Sequence, residues 1–94
     1  VNTNTGASGS IIITLPQLVV GARFLFAITT ANDVQINMNA ADPNATINLG
    51  TTTTVTQSSG GFVHSNVVGS FLEIIAVSST QWFARVTGDW VKSP

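Results

Sequence analysis

The sequence predicts an all-β fold, a small antiparallel β-sandwich or barrel, and three observations carry that expectation. Large apolar residues recur at every second position through Ala22 to Thr30 and again through Val34 to Asn39, the period that lines one face of a strand rather than one side of a helix. Turn-forming groups, among them Ala31-Asn32-Asp33, Asp42-Pro43-Asn44 and Ser58-Ser59-Gly60-Gly61, punctuate the chain at short intervals,. Only seven of the 94 residues are charged, three basic and four acidic, against roughly a quarter in an ordinary soluble domain. Thr, Ser, Asn and Gly fill the deficit, and these residues suit pleated surfaces and turns better than solvated helices.

Residues 1–10 hold one sizeable apolar side chain among Asn, Thr, Gly and Ser and read as a flexible N-terminal arm or linker,. Residues 11–94 read as a single β domain. Ile11-Ile12-Ile13-Thr14-Leu15 is a β-branched run stopped by Pro16, which lacks an N–H and so marks a sheet edge,. In the next strand, Phe24, Phe26 and Ile28 point one way and Arg23, Leu25 and Ala27 the other. Val34, Ile36 and Met38 alternate with Gln35, Asn37 and Asn39, and the short turn between these two segments predicts a hairpin,. Thr46-Ile47-Asn48-Leu49 is a short strand closed by Gly50, and the tract Thr51 to Thr56 reads as a long edge strand or an extended loop,. Phe62-Val63-His64 resumes strand character after Gly61.

The segments Ser70 to Val77 and Gln81 to Thr87 form a second predicted hairpin around Ser78-Ser79-Thr80,. A three-residue loop sets Glu73 opposite Arg85, Ala76 opposite Trp82, Leu72 opposite Val86 and Ile75 opposite Phe83, so small meets large and charge meets opposite charge. A two-residue loop would instead put Glu73 against Val86 and leave Arg85 facing Ile74, a poorer set of pairs. One face of this hairpin, with Leu72, Ile74, Ala76, Trp82, Ala84 and Val86, is a core face. The other is also apolar: Phe71, Ile75, Val77 and Phe83 surround Glu73 and Arg85.

A monomeric antiparallel sheet with one wet side shows polar residues on that side. The apolar back face therefore predicts burial between copies of the chain, and Arg23, Leu25, Ala27, Phe71, Glu73, Ile75, Phe83 and Arg85 are the candidate oligomer-interface residues. Small size points the same way, since a chain this short needs disulfides, metal or oligomerisation to be well stabilised, and it has no Cys. A single His and no Cys leave little for a zinc site. Asp33, Asp42 and Asp89 match no calcium-loop spacing, so no metal or other cofactor is expected. A net charge of −1 gives no footprint for nucleic acid, and no apolar run approaches the roughly 20 residues of a membrane helix.

No catalytic constellation is legible. His64 stands near Ser58 to Gly61 without a predicted carboxylate partner, and one His serves every Ser of the chain equally badly as a base,. Weaker candidates for ligand binding are Asn39 and Asn44, in a loop, and Trp90, whose ring is the kind of surface on which a sugar stacks.

The succession Gly21-Ala22-Arg23-Phe24-Leu25-Phe26, Asp33-Val34-Gln35-Ile36-Asn37, Gly69-Ser70-Phe71-Leu72-Glu73 and Gln81-Trp82-Phe83-Ala84, running on to Gly88-Asp89-Trp90, resembles a small β-module of bacteriophage virion proteins. In that group a Gly-x-x-aromatic-x-aromatic strand opens the module and a Trp-bearing strand leads to a Gly-x-Trp ending. The resemblance implies an intertwined homotrimer at the virion surface: a non-enzymatic capsid-decorating protein, head fibre or tail-fibre module that attaches to a major capsid or fibre protein. The alternative it implies is a receptor-binding adhesin tip that recognises a host surface glycan through the loops Asn39 to Asn44 and Thr56 to Gly61.

Overall fold

The computed structural model describes residues 2–50 and 53–93. Among the described residues, ten strands make up the fold: β1 (Asn2–Thr3), β2 (Ile11–Thr14), β3 (Arg23–Ala27), β4 (Val34–Asn37), β5 (Thr46–Leu49), β6 (Thr53–Thr56), β7 (Phe62–Ser65), β8 (Phe71–Ala76), β9 (Gln81–Thr87) and β10 (Val91–Ser93). They form a six-stranded sheet of order β1-β3-β8-β9-β5-β6 and a four-stranded sheet of order β10-β7-β4-β2. The all-β fold is the expected one, but both sheets are mixed rather than antiparallel, because β1 with β3, β2 with β4 and β5 with β9 pair in parallel.

The parallel pairs arise from how the chain travels. From β1 to β5 it changes sheet at every step, which sets β1 beside β3 and β2 beside β4, and β9 later returns to the larger sheet alongside β5. This overturns the expected β3–β4 hairpin. Phe26 and Ile28 on one side and Val34, Ile36 and Met38 on the other are all buried, but the two segments belong to opposite sheets. A one-faced apolar pattern is satisfied equally by a lateral neighbour and by an opposing sheet about 10 Å away. The five residues from Ile28 to Asn32 are long enough to make that crossing.

Trp82, Ile36, Ile47, Val63, Leu72 and Ile74 are completely buried between the sheets. Trp82 packs its ring 6.1 Å from that of Phe24, tilted by 51°. The β8–β9 hairpin has the predicted register: Glu73 faces Arg85, Ala76 faces Trp82 and Val77 N–H donates to Gln81 O across the Ser78-Ser79-Thr80 loop. Val86 departs from the expected core face and is 39% exposed. The pairing of β9 with β5 stops at Leu49 and Ala84, which leaves the last residues of β9 without a described neighbour on that side. The Thr-rich tract is an edge strand over Thr53–Thr56, paired with β5; Thr51 and Thr52 lie outside the described residues.

The antiparallel pair β3 and β8, in the interior of the larger sheet, has a local two-fold symmetry. Each strand is preceded by a Val-Val-Gly turn, Val19-Val20-Gly21 and Val67-Val68-Gly69, in which the glycine adopts φ of +92° and +93°. That geometry belongs to a type II turn and costs glycine little. Gly21 N–H donates to Ala76 O and Ala76 N–H to Ala22 O; at the other end Gly69 N–H donates to Ile28 O and Ile28 N–H to Ser70 O. The start of each strand is thus clamped to the end of the other.

The stretch expected as a flexible arm is bonded into the fold. Asn2 and Thr3 pair with Phe26 and Ala27. Asn4 is buried and its side chain makes four hydrogen bonds to backbone groups: Oδ1 accepts from Thr29 N–H (2.8 Å) and Thr30 N–H (3.0 Å), and Nδ2 donates to Thr30 O (2.7 Å) and Asn32 O (3.2 Å); Thr29 Oγ1 donates a longer fifth bond to Oδ1. A polar sequence was read as solvated, whereas this side chain substitutes for backbone partners beyond the end of β3.

Candidate functional site

The eight candidate interface residues come together on the outer face of the six-stranded sheet. Strand registers arrange them in cross-strand rows: Arg23, Ile75 and Phe83 in one, Leu25, Glu73 and Arg85 in the next, Ala27 and Phe71 in the third. Their inward neighbours on the same strands, Phe26, Leu72, Ile74 and Trp82, are buried, which fixes the outward direction of this set.

Glu73 is the hinge of the electrostatics. Its Oε2 meets Arg23 Nη2, and its Oε1 meets Arg85 Nη2 at 3.0 Å. The carboxylate is largely covered, with 16% of the side chain exposed, while 57% of Arg23 and 84% of Arg85 remain open to solvent. Each guanidinium carries five N–H donors, so most of their hydrogen-bonding capacity is unused by Glu73. With Ile75, Phe83 and Ala84 the three charged groups line a shallow open hollow of about 480 Å³. Phe83 and Ile75 are exposed beside it, as are Val77 and the Val19-Val20 turn that Gly21 docks against the end of β8. This arrangement can hold an apolar surface that brings a carboxylate with it; a paired, exposed triad on its own contributes little to stability.

The outer face of the smaller sheet is different in character. Gln35, Asn37, Thr14, His64 and Ser93 stand on it in register with Ile12, Phe62 and Val91. His64, expected without a carboxylate, is paired: its Nδ1 lies 3.0 Å from Asp33 Oδ1. The two are 31 residues apart and meet because β7 runs beside β4, a long-range pairing with no local sequence signal. Among the described residues no hydroxyl is hydrogen-bonded to the His64 ring.

The weaker ligand candidates fare unequally. Asn39 is engaged internally, with Nδ2 donating to Leu15 O and Oδ1 accepting from Ala41 N–H. Trp90 is 8% exposed and belongs to the core, so it offers no face for a sugar. Its indole N–H is buried with no protein acceptor. Asn44 is exposed and lines, with Asp42, Pro43, Ser79 and Thr80, a smaller hollow of about 190 Å³. Asp42 Oδ2 accepts from Leu18 N–H, in keeping with a turn-stabilising role. The loops around residues 39–45 and 57–61 share one end of the sandwich with the 78–80 turn, since Gln57 N–H donates to Ala45 O and Thr46 N–H to Thr80 O.

Comparison with protein-family models, with curated proteins and with solved structures gives no match for this chain. The likeness to virion modules therefore rests on the sequence pattern alone.

Proposed function

We propose that this chain is a non-enzymatic structural subunit of a virion surface, a β-sandwich that assembles through the outer face of its six-stranded sheet into a homotrimer and attaches to a capsid or fibre protein. The observation that supports the reading is that face itself, where Leu25, Phe71, Ile75 and Phe83 surround the Arg23, Glu73 and Arg85 triad, whereas on the outer face of the other sheet Gln35, Asn37, Thr14, His64 and Ser93 are interspersed with Ile12, Phe62 and Val91. Its mechanism is binding alone: symmetry repeats a weak docking contact, and several such contacts on a periodic particle give firm attachment without a tight single site.

The test is the assembly state. Native mass spectrometry across a concentration series should show a trimer, and Phe83→Asp or Leu25→Asp should dissociate it, because the variant loses the apolar contact and brings a charge that must be desolvated on association. Wild-type protein that is a well-folded monomer at every concentration, or Asp variants that assemble normally, would sink the reading. In the alternative, an adhesin tip, the loop end carrying Asn44 makes the recognition contact; purified protein would then bind host cells or a glycan array, and Asn44→Ala would weaken that binding without affecting attachment to capsids.

A further inference from the structure

The charged groups of this chain are few enough to follow one by one. Asp33 is paired with His64, and Asp42 accepts a backbone N–H from Leu18. Lys92 Nζ reaches Thr54 O at 3.5 Å. Both arginines of the chain converge on Glu73, so two guanidinium charges face one carboxylate and the hollow keeps one positive charge in excess. The remaining carboxylate is Asp89. Its backbone N–H is held by Ser70 Oγ at 3.1 Å in the turn that follows Gly88, but its side chain is exposed and has no partner among the described residues. Among the described residues Lys92 and Asp42 have no ion pair either, but each contacts a backbone group of its own copy; the hollow with its excess positive charge and the Asp89 carboxylate stand on the same molecule and do not pair within it.

Resting on the self-assembly proposed above, we infer that the hollow of one copy receives the Asp89 carboxylate of the neighbouring copy. Such a contact is heterologous: each copy presents one acceptor turn and one donor hollow, so repetition around a closed ring engages every hollow and every Asp89 once. The free guanidinium donors of Arg85 suit a carboxylate in a two-point contact. Covering Phe83 and Ile75 in the same step removes water from around the pair and strengthens it relative to an exposed one. Glu73 keeps both guanidinium groups pointing into the hollow before the neighbour arrives.

Asp89→Lys is the decisive variant, because the side chain bonds to nothing within its own copy and the fold should be intact by circular dichroism. It should weaken association about tenfold or more per contact, since like charges are then opposed, and so lower the trimer fraction steeply at micromolar concentration. Arg85→Glu should do the same, and the double variant Arg85→Glu with Asp89→Lys should regain the trimer. Asp89→Lys that assembles like wild type, or a double variant as dissociated as either single one, overturns the inference. If Phe83→Asp dissociates the protein while Asp89→Lys does not, the face is the interface and Asp89 is not its occupant; if neither dissociates it, the assembly reading has failed as well. Oligoglucuronate that binds wild type and Asp89→Lys equally, and is lost in Arg85→Ala, would identify a diffusible carboxylate as the occupant and likewise overturn the inference.

Discussion

Replacing Asn4 by Ala is the sharpest test of how the first residues are held. The side chain accepts from two backbone N–H groups and donates to two carbonyls. Thr30 O retains a second partner, the N–H of Asn32 at 2.7 Å, so the substitution strips the Asn4 partner from Thr29 N–H, Thr30 N–H and Asn32 O without replacing it. At about 1 kcal/mol per hydrogen bond the loss is roughly 3 kcal/mol. For a domain of this size, 1 kcal/mol moves Tm by about 4–8 °C, so a fall of about 12–24 °C is expected in thermal denaturation at fixed protein concentration. Asn2→Ala is the control: its Nδ2 makes one exposed bond, 3.2 Å to Leu25 O, and its loss should cost no more than about 0.5 kcal/mol. Asn4→Asp should not rescue, because a carboxylate keeps the two acceptor contacts but faces two carbonyl oxygens where donors are needed. A Tm for Asn4→Ala within about 2 °C of wild type, beyond which a 0.5 kcal/mol effect would be visible, would refute the reasoning and restore the reading of residues 1–10 as a loosely attached arm.

Three further substitutions probe the backbone and the core. Gly69→Ala places a Cβ where no atom lies within 4 Å, so its cost is that of the left-handed backbone alone, about 1–2 kcal/mol. Gly88→Ala has the same positive φ but puts the Cβ 2.6 Å from Ser70 Oγ and 2.8 Å from Ser70 Cα; chemical denaturation should show it the more destabilised of the two by at least about 1 kcal/mol, and equal midpoints would contradict the close approach. Trp82→Ala removes the largest fully buried side chain at a cost of about 3–5 kcal/mol, a large share of the 5–15 kcal/mol typical of a small domain. Loss or marked broadening of cooperative unfolding is expected, and a variant as stable as wild type would displace Trp82 from the centre of the core.

The parts of the fold legible in the sequence were those decided between residues close along the chain. The β8–β9 register follows from one short loop and from the opposition of Glu73 to Arg85, and the alternation in β3 separates Phe24 and Phe26 from Arg23 and Leu25 without reference to any other strand. What escaped was decided at long range. Nothing in Phe24 to Met38 distinguishes two strands lying side by side from two strands facing across a core, so the β3–β4 hairpin was wrong while its inward faces were right. The His64 and Asp33 pair depends on the antiparallel pairing of β7 with β4 and the backbone bonds of the Asn4 side chain on the parallel pairing of β1 with β3, and the connecting loops carry no composition signal for either. The burial of Trp90 escaped for a related reason: Val91 begins a strand of the opposite sheet, and the crossing from β9 takes the indole into the core.

The distribution of sticky surface bears on the kind of assembly such a molecule can make. Addition strand by strand requires a free sheet edge, and the described edges are poorly suited to it. β1 has two residues and β10 three; β2 ends before Pro16, which has no N–H to donate; and β6 is tied to β10 by the Lys92 contact with Thr54 O. Association through a face is the remaining route, and the two faces are unequal. The larger sheet turns Phe83, Ile75, Phe71 and Leu25 outward around the Arg23, Glu73 and Arg85 triad, whereas the smaller one turns Gln35, Asn37, Thr14, His64 and Ser93 outward among Ile12, Phe62 and Val91. A heterologous contact on the larger sheet gives a small ring where the rotation between copies closes and an open filament where it does not. The proposed trimer is the closed case. It also leaves the outer face of the smaller sheet, the edges and the loop end carrying Asn44 outside the self-interface, as the surfaces left for contact with a larger assembly.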